Sequence, residues 1–321
     1  MTRMQILVLH SHLDATARAD DLDTLAVADA VCDALSQNGH SVTRAAFVPQ
    51  QLDAQLRNCD LVFNLVESVD GQDELCAVIP AMLEKHGVPF TGASAAVIQL
   101  TSDKPAAKRI LRAVGISTPD WCEGPNWVGL DRSRRYIVKS ATADASLGLD
   151  DRAVVIGSEV EARAAECRRR FGGRWFAEIF VDGREFNVAL LEDHSGVMVL
   201  PPAEMRFVDW DERRPRIVGY GAKWNAEDPA FSATVRHFGC EKLEPGLAAG
   251  LHLIANRCWE IFGLSGYGRI DLRLDSCGSP HVLDLNCNPC LSPEAGFAAA
   301  AQQAGYDYCG LIDHIVRVTL Q

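Results

Sequence analysis

The sequence predicts a mixed fold, with an N-terminal α/β part followed by an α+β part. Two patterns indicate this. In the first hundred residues, short apolar runs alternate with segments that carry apolar residues at helical spacing, which is typical of a parallel sheet with helices on both faces. Beyond Pro119, closely spaced strand-like runs with turn signals such as Asp182-Gly183 are typical of antiparallel pairing. The 321 residues exceed what one core usually fills.

The elements of the α/β part follow from its apolar spacing. A helix near 103–114 stops at Gly115 and Pro119, which makes this segment a plausible boundary. Strands are predicted at 6–10, 42–47 and 61–65, and helices at 22–35, 75–85 and 103–114.

The α+β part is predicted in the same way. Its strands are expected at 136–139, 174–180, 186–191, 197–200, 269–274 and 281–285, and its helices at 246–262, 294–304 and 308–318. We divide the chain into three lobes: an N-terminal α/β domain (1–100), a central lobe (101–180) and a C-terminal lobe (181–321). Clefts between such lobes commonly bind small molecules.

The charge balance excludes several classes of partner. Acidic residues number 43 against 31 basic ones, for a net charge of −12. A surface this negative repels phosphate backbones and anionic lipid, so we expect neither nucleic acid nor membrane as a partner. The apolar runs are shorter than a membrane span, no signal-peptide pattern is visible, and the 11 cysteines are scattered. We therefore expect a soluble, cytoplasmic protein with reduced thiols.

The strongest local motif is Arg269-Ile-Asp271 followed by Asp284-Leu-Asn286. Residues two apart in a strand project from the same face. If the two strands are adjacent, two carboxylates, an amide and a guanidinium converge, and such oxygen ligands suit Mg²⁺ together with phosphate oxygens. The alternative is an exposed strand pair whose charges face water.

Three lysines form a second candidate set. Lys139 ends an apolar strand and precedes 140–148, a loop of small residues whose backbone N–H groups can approach phosphate. Lys104 stands at a helix start, and Lys223 in a Gly/aromatic turn. Each alone is more often a surface lysine, but together with a magnesium site they indicate a nucleoside triphosphate.

A third candidate is the extended segment 178–181, which leads to Glu185. Its backbone could pair with an adenine edge, and Glu185 could bind ribose hydroxyls. A plain hairpin with a charged turn is an equally good interpretation of this segment.

In the order and spacing of these motifs, nearly the whole chain resembles the ATP-grasp superfamily, in particular the branch of D-alanine–D-alanine ligases. Such a fold has three lobes, with an N-terminal parallel α/β domain and two α+β lobes that clamp ATP. The matching stretches are 63–65, 87–92, Asp103-Lys104, Lys108-Arg109, Val138-Lys139, Glu178, 183–185, Lys223, 269–271, 284–286 and Pro289.

The resemblance implies a role for each matching residue. Arg269 would stabilise the charged tetrahedral intermediate, and two Mg²⁺ ions would be bound. The implied phosphate ligands are Lys104, Lys139 and Lys223, with Ser146 as the phosphate-loop serine; the adenine hinge is Glu178, Ile179, Phe180 and Val181; the ribose ligand is Glu185; the metal ligands are Asp271, Asp284 and Asn286.

The residues that contact amino-acid substrates in those ligases are not kept here. A loop at 10–14 replaces the usual Gly-Gly loop and its glutamate, and Asp144-Ala145-Ser146 replaces a Gly-Ser-Ser triplet. A tyrosine position holds Trp224, a glycine position holds Cys290, and the position of a carboxylate-binding serine holds Ala295. We therefore expect a substrate pair other than two D-alanines.

Several residues are candidates for the substrate side. Cys287 and Cys290 resemble a metal knuckle, but a single pair favours a loop lining over zinc. His10 and His12 flank the same side, where a base role is one hypothesis. The other candidates are Glu67, Glu74, Arg206, Trp224, Arg269, Ser292 and Glu294.

The leading hypothesis is an ATP-dependent ligase of specialised metabolism. It would join a small-molecule carboxylate, activated as an acylphosphate, to an amine and release ADP and phosphate. One alternative is an enzyme that activates a carbonyl or ureido group or closes a ring. Another is an ATP-binding regulatory protein without catalysis, and a homodimer is an open possibility for each.

Overall fold

The computed structural model describes residues 3–13, 19–69, 71–143 and 146–321 and arranges their strands in three sheets. The strands are β1 (Gln5–His10), β2 (Ser41–Ala46), β3 (Leu61–Leu65), β4 (Trp121–Glu123), β5 (Arg135–Ser140), β6 (Val154–Ile156), β7 (Trp175–Ile179), β8 (Glu185–Asp193), β9 (Gly196–Val199), β10 (Ala203–Phe207), β11 (Thr234–His237), β12 (Tyr267–Leu274) and β13 (Pro280–Asn286). The helices are α1 (Ala19–Gln37), α2 (Leu52–Gln55), α3 (Val78–His86), α4 (Ala95–Ser102), α5 (Lys104–Ala113), α6 (Val160–Phe171), α7 (Tyr220–Trp224), α8 (Pro229–Ala233), α9 (Cys240–Leu243), α10 (Pro245–Phe262), α11 (Gly296–Gln303) and α12 (Tyr308–Thr319).

The N-terminal sheet is parallel and has the order β2-β1-β3. In β1, Ile6 and Val8 pack into one core while Leu7 and Leu9 pack into another, so both faces are buried. Helices α1, α11 and α12 contribute to the first core, and α2 and α3 to the second. The predicted parallel sheet with helices on both faces is confirmed, and a continuous apolar run is what such a doubly covered strand requires.

The second sheet is antiparallel, with the order β4-β7-β5-β6. Helix α6 packs on it through Val160, Ala164 and Cys167, which share a core with Tyr136 and Val138 of β5. The sequence did not predict α6, because four arginines and two glutamates among its twelve residues hide the narrow apolar stripe.

The third sheet is antiparallel, with the order β11-β10-β8-β12-β13, and β9 pairs with β8. Its two faces differ in chemistry. Ile270 and Leu272 of β12 pack into a core with α4, α5 and α10. Their neighbours Arg269, Asp271 and Arg273 alternate with them and project from the opposite face, which we call the polar face.

The alternative interpretation of the segment around Asp182-Gly183 as a plain hairpin is wrong. Strand β7 belongs to the second sheet and β8 to the third, so the segment between them links two sheets. Gly183 is required there because a Cβ atom at this position would lie 1.8 Å from the backbone oxygen of Leu274. A local turn signal does not reveal which strands pair across it.

The two C-terminal helices, α11 and α12, pack in the same core as the N-terminal sheet. The division into lobes near residues 100 and 180 remains a prediction. Within the described part of the chain, none of the helices combines the length and the apolar character that crossing a bilayer requires.

Candidate active site

The predicted metal ligands come together on the polar face. The register of β12 and β13 places Asp271 opposite Asp284 and Arg269 opposite Asn286. The two strands are therefore adjacent, which is the condition for their polar side chains to converge. A register irregularity between Asp271 and Leu272 leaves both polar pairs in line.

Asp271 is held by two neighbours. Its carboxylate accepts two hydrogen bonds from the Arg269 guanidinium, at 2.7 and 2.9 Å, and one from the Asn187 amide at 2.7 Å. Burial alone would raise the pKa of Asp271, but Arg269, Lys223 and Asn187 hold it below its ordinary value. Sequence reasoning missed Asn187, although β8 alternates and β12 places Asn187 opposite Asp271.

Lys104 connects the metal ligands to the central part of the chain. It is the first residue of α5, where the Asp103 side chain caps the helix by accepting from the Ala106 N–H. Its ammonium lies 3.7 Å from the Asp284 carboxylate and donates to the Ala143 carbonyl at 3.1 Å. The helix start thus aims a buried lysine at the candidate metal site.

On the second sheet, one buried carboxylate lies between two lysines. Glu178 contacts Lys139 through one oxygen and lies 2.7 Å from Lys108 through the other. The side chains of Lys108 and Glu178 are each only 1% exposed. Lys108 also donates to the Thr118 hydroxyl at 2.6 Å. The sequence matched Lys108 to the family pattern but assigned it no role.

This cluster has a defined electrostatic state. Burial would raise the pKa of Glu178, but the ammonium groups of Lys108 and Lys139 hold it below its ordinary value. Burial lowers the pKa of Lys108, and Glu178 offsets part of that effect. Glu178 is therefore a buried anion that neutralises the lysines, and its side chain is not free to bind adenine in this structure.

The predicted adenine hinge keeps one donor and one acceptor available. The N–H groups of Ile179 and Phe180 donate to the carbonyls of Asp120 and Arg135. Over the described ranges, neither the Val181 N–H nor the Ile179 carbonyl has a hydrogen-bond partner. An N–H and a carbonyl two residues apart are what the edge of an adenine ring needs.

Arg273 joins the hinge to the predicted ribose ligand, and sequence reasoning missed it. This buried guanidinium donates to the Glu185 carboxylate at 2.7 and 2.9 Å and to the Val181 carbonyl at 2.9 Å. It also lies 5.3 Å from the centre of the Phe180 ring. The signal was present in the alternation of β12, which places Arg273 on the same face as Arg269 and Asp271.

The predicted phosphate loop contacts the segment that leads to Lys223. The Ser146 hydroxyl donates to the Val218 carbonyl at 2.9 Å, and the Tyr220 N–H donates to the Leu149 carbonyl at 2.8 Å. Lys223 follows on α7, close enough to contribute to the low pKa of Asp271. Asp144 and Ala145, where the family triplet is replaced, lie outside the described residues.

The predicted substrate-side residues are only partly brought together. The Cys290 thiol donates to the Asp23 carboxylate at a separation of 3.4 Å, and burial with the nearby Glu67 raises the pKa of Cys290 to about 12. Cys287 instead packs in the core of the third sheet, 3.0 Å from the Thr101 hydroxyl. The two cysteines thus occupy different cores.

Other predicted substrate residues lie around this point. The Ser292 N–H donates to Cys290 Sγ at 3.4 Å, Trp224 ends α7, and Glu294 is exposed just before α11. His10 is buried, its Nδ1 lies 2.9 Å from the Ser11 carbonyl, and burial lowers its pKa. His12 and Glu74 are exposed.

The expectation that Arg206 faces the cleft is wrong. Arg206 pairs with Val235 across β10 and β11 and bonds to Glu204 at 3.1 Å. Met205, the neighbour of Arg206 on β10, lies in the row of Glu185 and Arg273, so the row of Arg206 and Val235 points away from the polar face. On β11, the arginine that belongs to the polar face is Arg236, one residue beyond Val235.

The oxygen ligands suit a magnesium ion that is bound together with phosphate. In the described ranges there is no group of three or more histidine, cysteine, aspartate or glutamate side chains that could hold a metal ion. The candidate site has two carboxylates, Asp271 and Asp284, and the amide of Asn286. Mg²⁺ is commonly held by one or two carboxylates plus phosphate oxygens and water, so the residues present fit it.

Comparisons with known proteins agree with this arrangement. Residues 133–317 match the family model described as D-ala D-ala ligase C-terminus. The chain is 31% identical to the uncharacterized protein y4sG of Sinorhizobium fredii, over 91% of this chain and 87% of that protein. It is 29% identical to a D-alanine–D-alanine ligase of Methylococcus capsulatus, over 82% and 80% of the two chains.

Solved structures show the same fold. The D-alanine–D-alanine ligase of Bacillus anthracis, crystallised with ATP, superposes with a TM-score of 0.78 at 19% identity and covers 99% of this chain and 97% of its own. The D-alanyl-alanine synthetase A of Vibrio cholerae gives the same TM-score at 16% identity, with 100% of both chains covered.

Proposed function

The chain belongs to the D-ala D-ala ligase C-terminus family of ATP-grasp carbon–nitrogen ligases, and from this premise we propose that it joins a small-molecule carboxylate to an amine with ATP. The observation that carries the proposal is the facing pair Asp271 and Asp284, with the Lys104 ammonium 3.7 Å from Asp284. Carboxylates that hold magnesium and lysines that neutralise phosphate are the main requirements of phosphoryl transfer.

The nucleotide would lie between the second and third sheets. The Val181 N–H and the Ile179 carbonyl would pair with the adenine edge, and Glu185, fixed by Arg273, would bind the ribose. The phosphate ligands would be Lys104, Lys139, Lys223 and Ser146.

Magnesium, when bound by Asp271, Asp284 and Asn286, would supply positive charge against the phosphates. We propose that two Mg²⁺ ions are bound. For Lys139 to reach the nucleotide it must leave Glu178, and Lys108 stays behind to neutralise that buried carboxylate.

The proposed reaction has two steps. An oxygen of the substrate carboxylate attacks the γ-phosphorus of ATP, forming an acylphosphate and releasing ADP. The amine nitrogen then attacks the acyl carbon, the bond from that carbon to the phosphate oxygen breaks, and the nitrogen loses a proton. Arg269 would stabilise the tetrahedral intermediate of this second step.

We propose that the substrates are not two D-alanines. Trp224, Cys290 and Ala295 stand where the resemblance places substrate-contacting residues of another type. Around Cys290, the carboxylates of Asp23 and Glu67 make the lining acidic. An acidic lining favours a substrate with a cationic group at this end of the cleft.

Phosphate release tests the proposal. The protein would be incubated with ATP, Mg²⁺ and pools of carboxylic acids and amines, separately and together. Release that requires one acid and one amine supports the ligase, and release with a single non-carboxylate compound would favour carbonyl or ureido activation instead. Nucleotide binding with no release from any pool would contradict the ligase and favour an ATP-binding regulatory protein.

A further inference from the structure

Arg236 is a charged residue of the polar face that the proposed reaction does not use. It lies opposite Met205 on β10, in a row that continues through Glu185 to Arg273 on β12. This row places Arg236 on the polar face, where Arg269 and Asp271 also project. Throughout the described part of the chain, no hydrogen bond or ion pair joins the Arg236 side chain to another residue.

The surroundings of Arg236 make an unpaired charge costly. Burial is the main cause that lowers its pKa, and the Arg269 guanidinium lowers it further, while Glu294 acts in the opposite direction. A Cβ atom at Gly296, the first residue of α11, would lie 3.5 Å from Arg236 Nε. The Arg236 guanidinium thus lies near the start of α11 and near the positive charge of Arg269. Glu294 favours the charged form of Arg236, but it is exposed and makes no ion pair with Arg236.

A half-buried arginine without an acceptor indicates a missing anion. Its five N–H donors form a rigid fork that matches the two oxygens of a carboxylate. Leaving these donors desolvated and unpaired costs free energy, which an anionic ligand would recover on binding. Arg269 adds positive charge, although two of its N–H donors already bond to the Asp271 carboxylate.

We infer that Arg236, assisted by Arg269, binds a carboxylate group that a substrate carries in addition to the groups that react, and thereby selects that substrate. The inference rests on the proposed ligase function. Two sources share this chemistry: the carboxylate of an amino acid that serves as the amine, and the second carboxylate of a dicarboxylic acid.

The position of Arg236 in the sheet separates this group from the reacting one. Strands β10 and β8 lie between β11 and β12, which carries Asp271. The carboxylate that is phosphorylated must meet the γ-phosphate at Asp271 and Asp284. The anion at Arg236 is therefore a recognition group that stays intact through the reaction.

Kinetics with paired substrates distinguish the two sources. Amino acids would be compared with their carboxamides as amines, and dicarboxylic acids with monocarboxylic acids of equal length as acids. We expect Arg236→Gln to lower kcat/KM about 100-fold for whichever class carries the extra carboxylate, with the KM for ATP unchanged. Arg206→Gln is the control, because Arg206 lies on the neighbouring strand and points away from the polar face.

A second measurement does not depend on turnover. Phenylglyoxal modifies accessible arginines, and its attachment to Arg236 can be followed by peptide mass spectrometry with ATP and Mg²⁺ present. We expect amino acids or dicarboxylic acids to protect Arg236, while carboxamides and monocarboxylic acids do not. Protection without phosphate release from any pool would support the anion site while the proposed ligase fails.

Two outcomes would overturn the inference. One is equal kcat/KM for carboxylates and their uncharged counterparts in the wild-type protein, or an unchanged preference in Arg236→Gln. The other is the same modification rate of Arg236 with every compound. In either case Arg236 would be a structural residue of the edge strand.

Discussion

The nucleotide side and the substrate side of the cleft differ in how their charges are satisfied. On the nucleotide side, Glu178 lies between two lysines, Asp271 accepts hydrogen bonds from Arg269, and Glu185 accepts hydrogen bonds from Arg273. On the substrate side, Arg236 has no partner in the described ranges. Paired charges hold their geometry before any ligand arrives, so the nucleotide side is preorganised except for Lys139, which must leave Glu178 to reach the nucleotide. An unpaired charge is satisfied only by a ligand, so the substrate side is where specificity is decided.

Asp284→Asn tests the nucleotide side at its centre. The amide keeps the size of the side chain but loses the negative charge that would hold Mg²⁺ and face Lys104. We expect kcat to fall about 1000-fold, equivalent to about 4 kcal/mol of transition-state stabilisation, while the free energy of unfolding changes by less than about 1 kcal/mol. Phosphate release and urea unfolding measure the two quantities.

Asp275→Asn is the matched control for this prediction. Asp275 precedes β13 at the tip of the same hairpin and bonds to His281 at 3.0 Å, away from the polar face. It should keep the wild-type kcat. A wild-type kcat in Asp284→Asn itself would contradict the assignment of Asp284 as a metal ligand. It would also contradict the idea that the nucleotide side is preorganised.

Gly148→Ala tests the loop that contributes Ser146. Gly148 has φ +71°, and a Cβ atom there would lie 2.6 Å from the Trp175 ring. Because the Trp175 indole is fixed by its bond to the Gly172 carbonyl, the loop must move away. We expect the KM for ATP to rise about 30-fold, measured by phosphate release, with a modest loss of stability.

Gly173→Ala provides the comparison for the loop. Gly173 also has a positive φ, +64°, but its Cβ position is open. It should cost about 1 kcal/mol of stability and leave the KM for ATP unchanged. An equal effect of both substitutions on KM would mean that the loop does not position the phosphates.

Lys108→Met has the smallest expected effect, and it separates the nucleotide side from the substrate side most clearly. Without Lys108, Lys139 becomes the main counterion of Glu178 and is held away from the nucleotide. We expect the KM for ATP to rise about tenfold while the preference among substrates is unchanged. Arg109→Met is the control, since Arg109 is exposed on the next position of α5 and pairs with Glu123.

The same variant predicts a pH dependence of stability. The pKa of Glu178 is lowered in the folded protein, so its ionised form stabilises the fold above the unfolded pKa, about 4.3, and this contribution is lost as the pH falls through the folded value. The stability difference between wild type and Lys108→Met should therefore be largest near pH 7 and shrink in acid. Urea unfolding from pH 7 to pH 3 measures it, and a difference independent of pH would contradict the assignment.

Local patterns predicted the parts of the site that depend on a single strand. The alternation of Arg269 with Asp271, and of Asp284 with Asn286, is a property of neighbouring residues, so the sequence indicated the shared face before any pairing was known. The apolar run of β1 likewise predicted a strand that is covered on both faces.

The parts that were missed depend on pairing between distant segments. Lys108 meets Glu178 only because α5 packs beside the second sheet. The choice of Arg206 was wrong, and Arg236 was missed, because the face of β11 that points into the cleft depends on its register with β10. The Asp182-Gly183 turn was compatible with a hairpin because the residues near it do not reveal that β7 and β8 belong to different sheets.

The packing of α11 and α12 against the N-terminal sheet constrains how the protein is made. Strands β1, β2 and β3 leave the ribosome early, yet one apolar face of their sheet is completed only by residues 296–319. At about 5–20 residues per second, that face waits on the order of 10–50 s for its cover during synthesis. This sheet is thus synthesised well before the helices that complete its packing, and a chaperone that shields apolar surface could act on it during that interval.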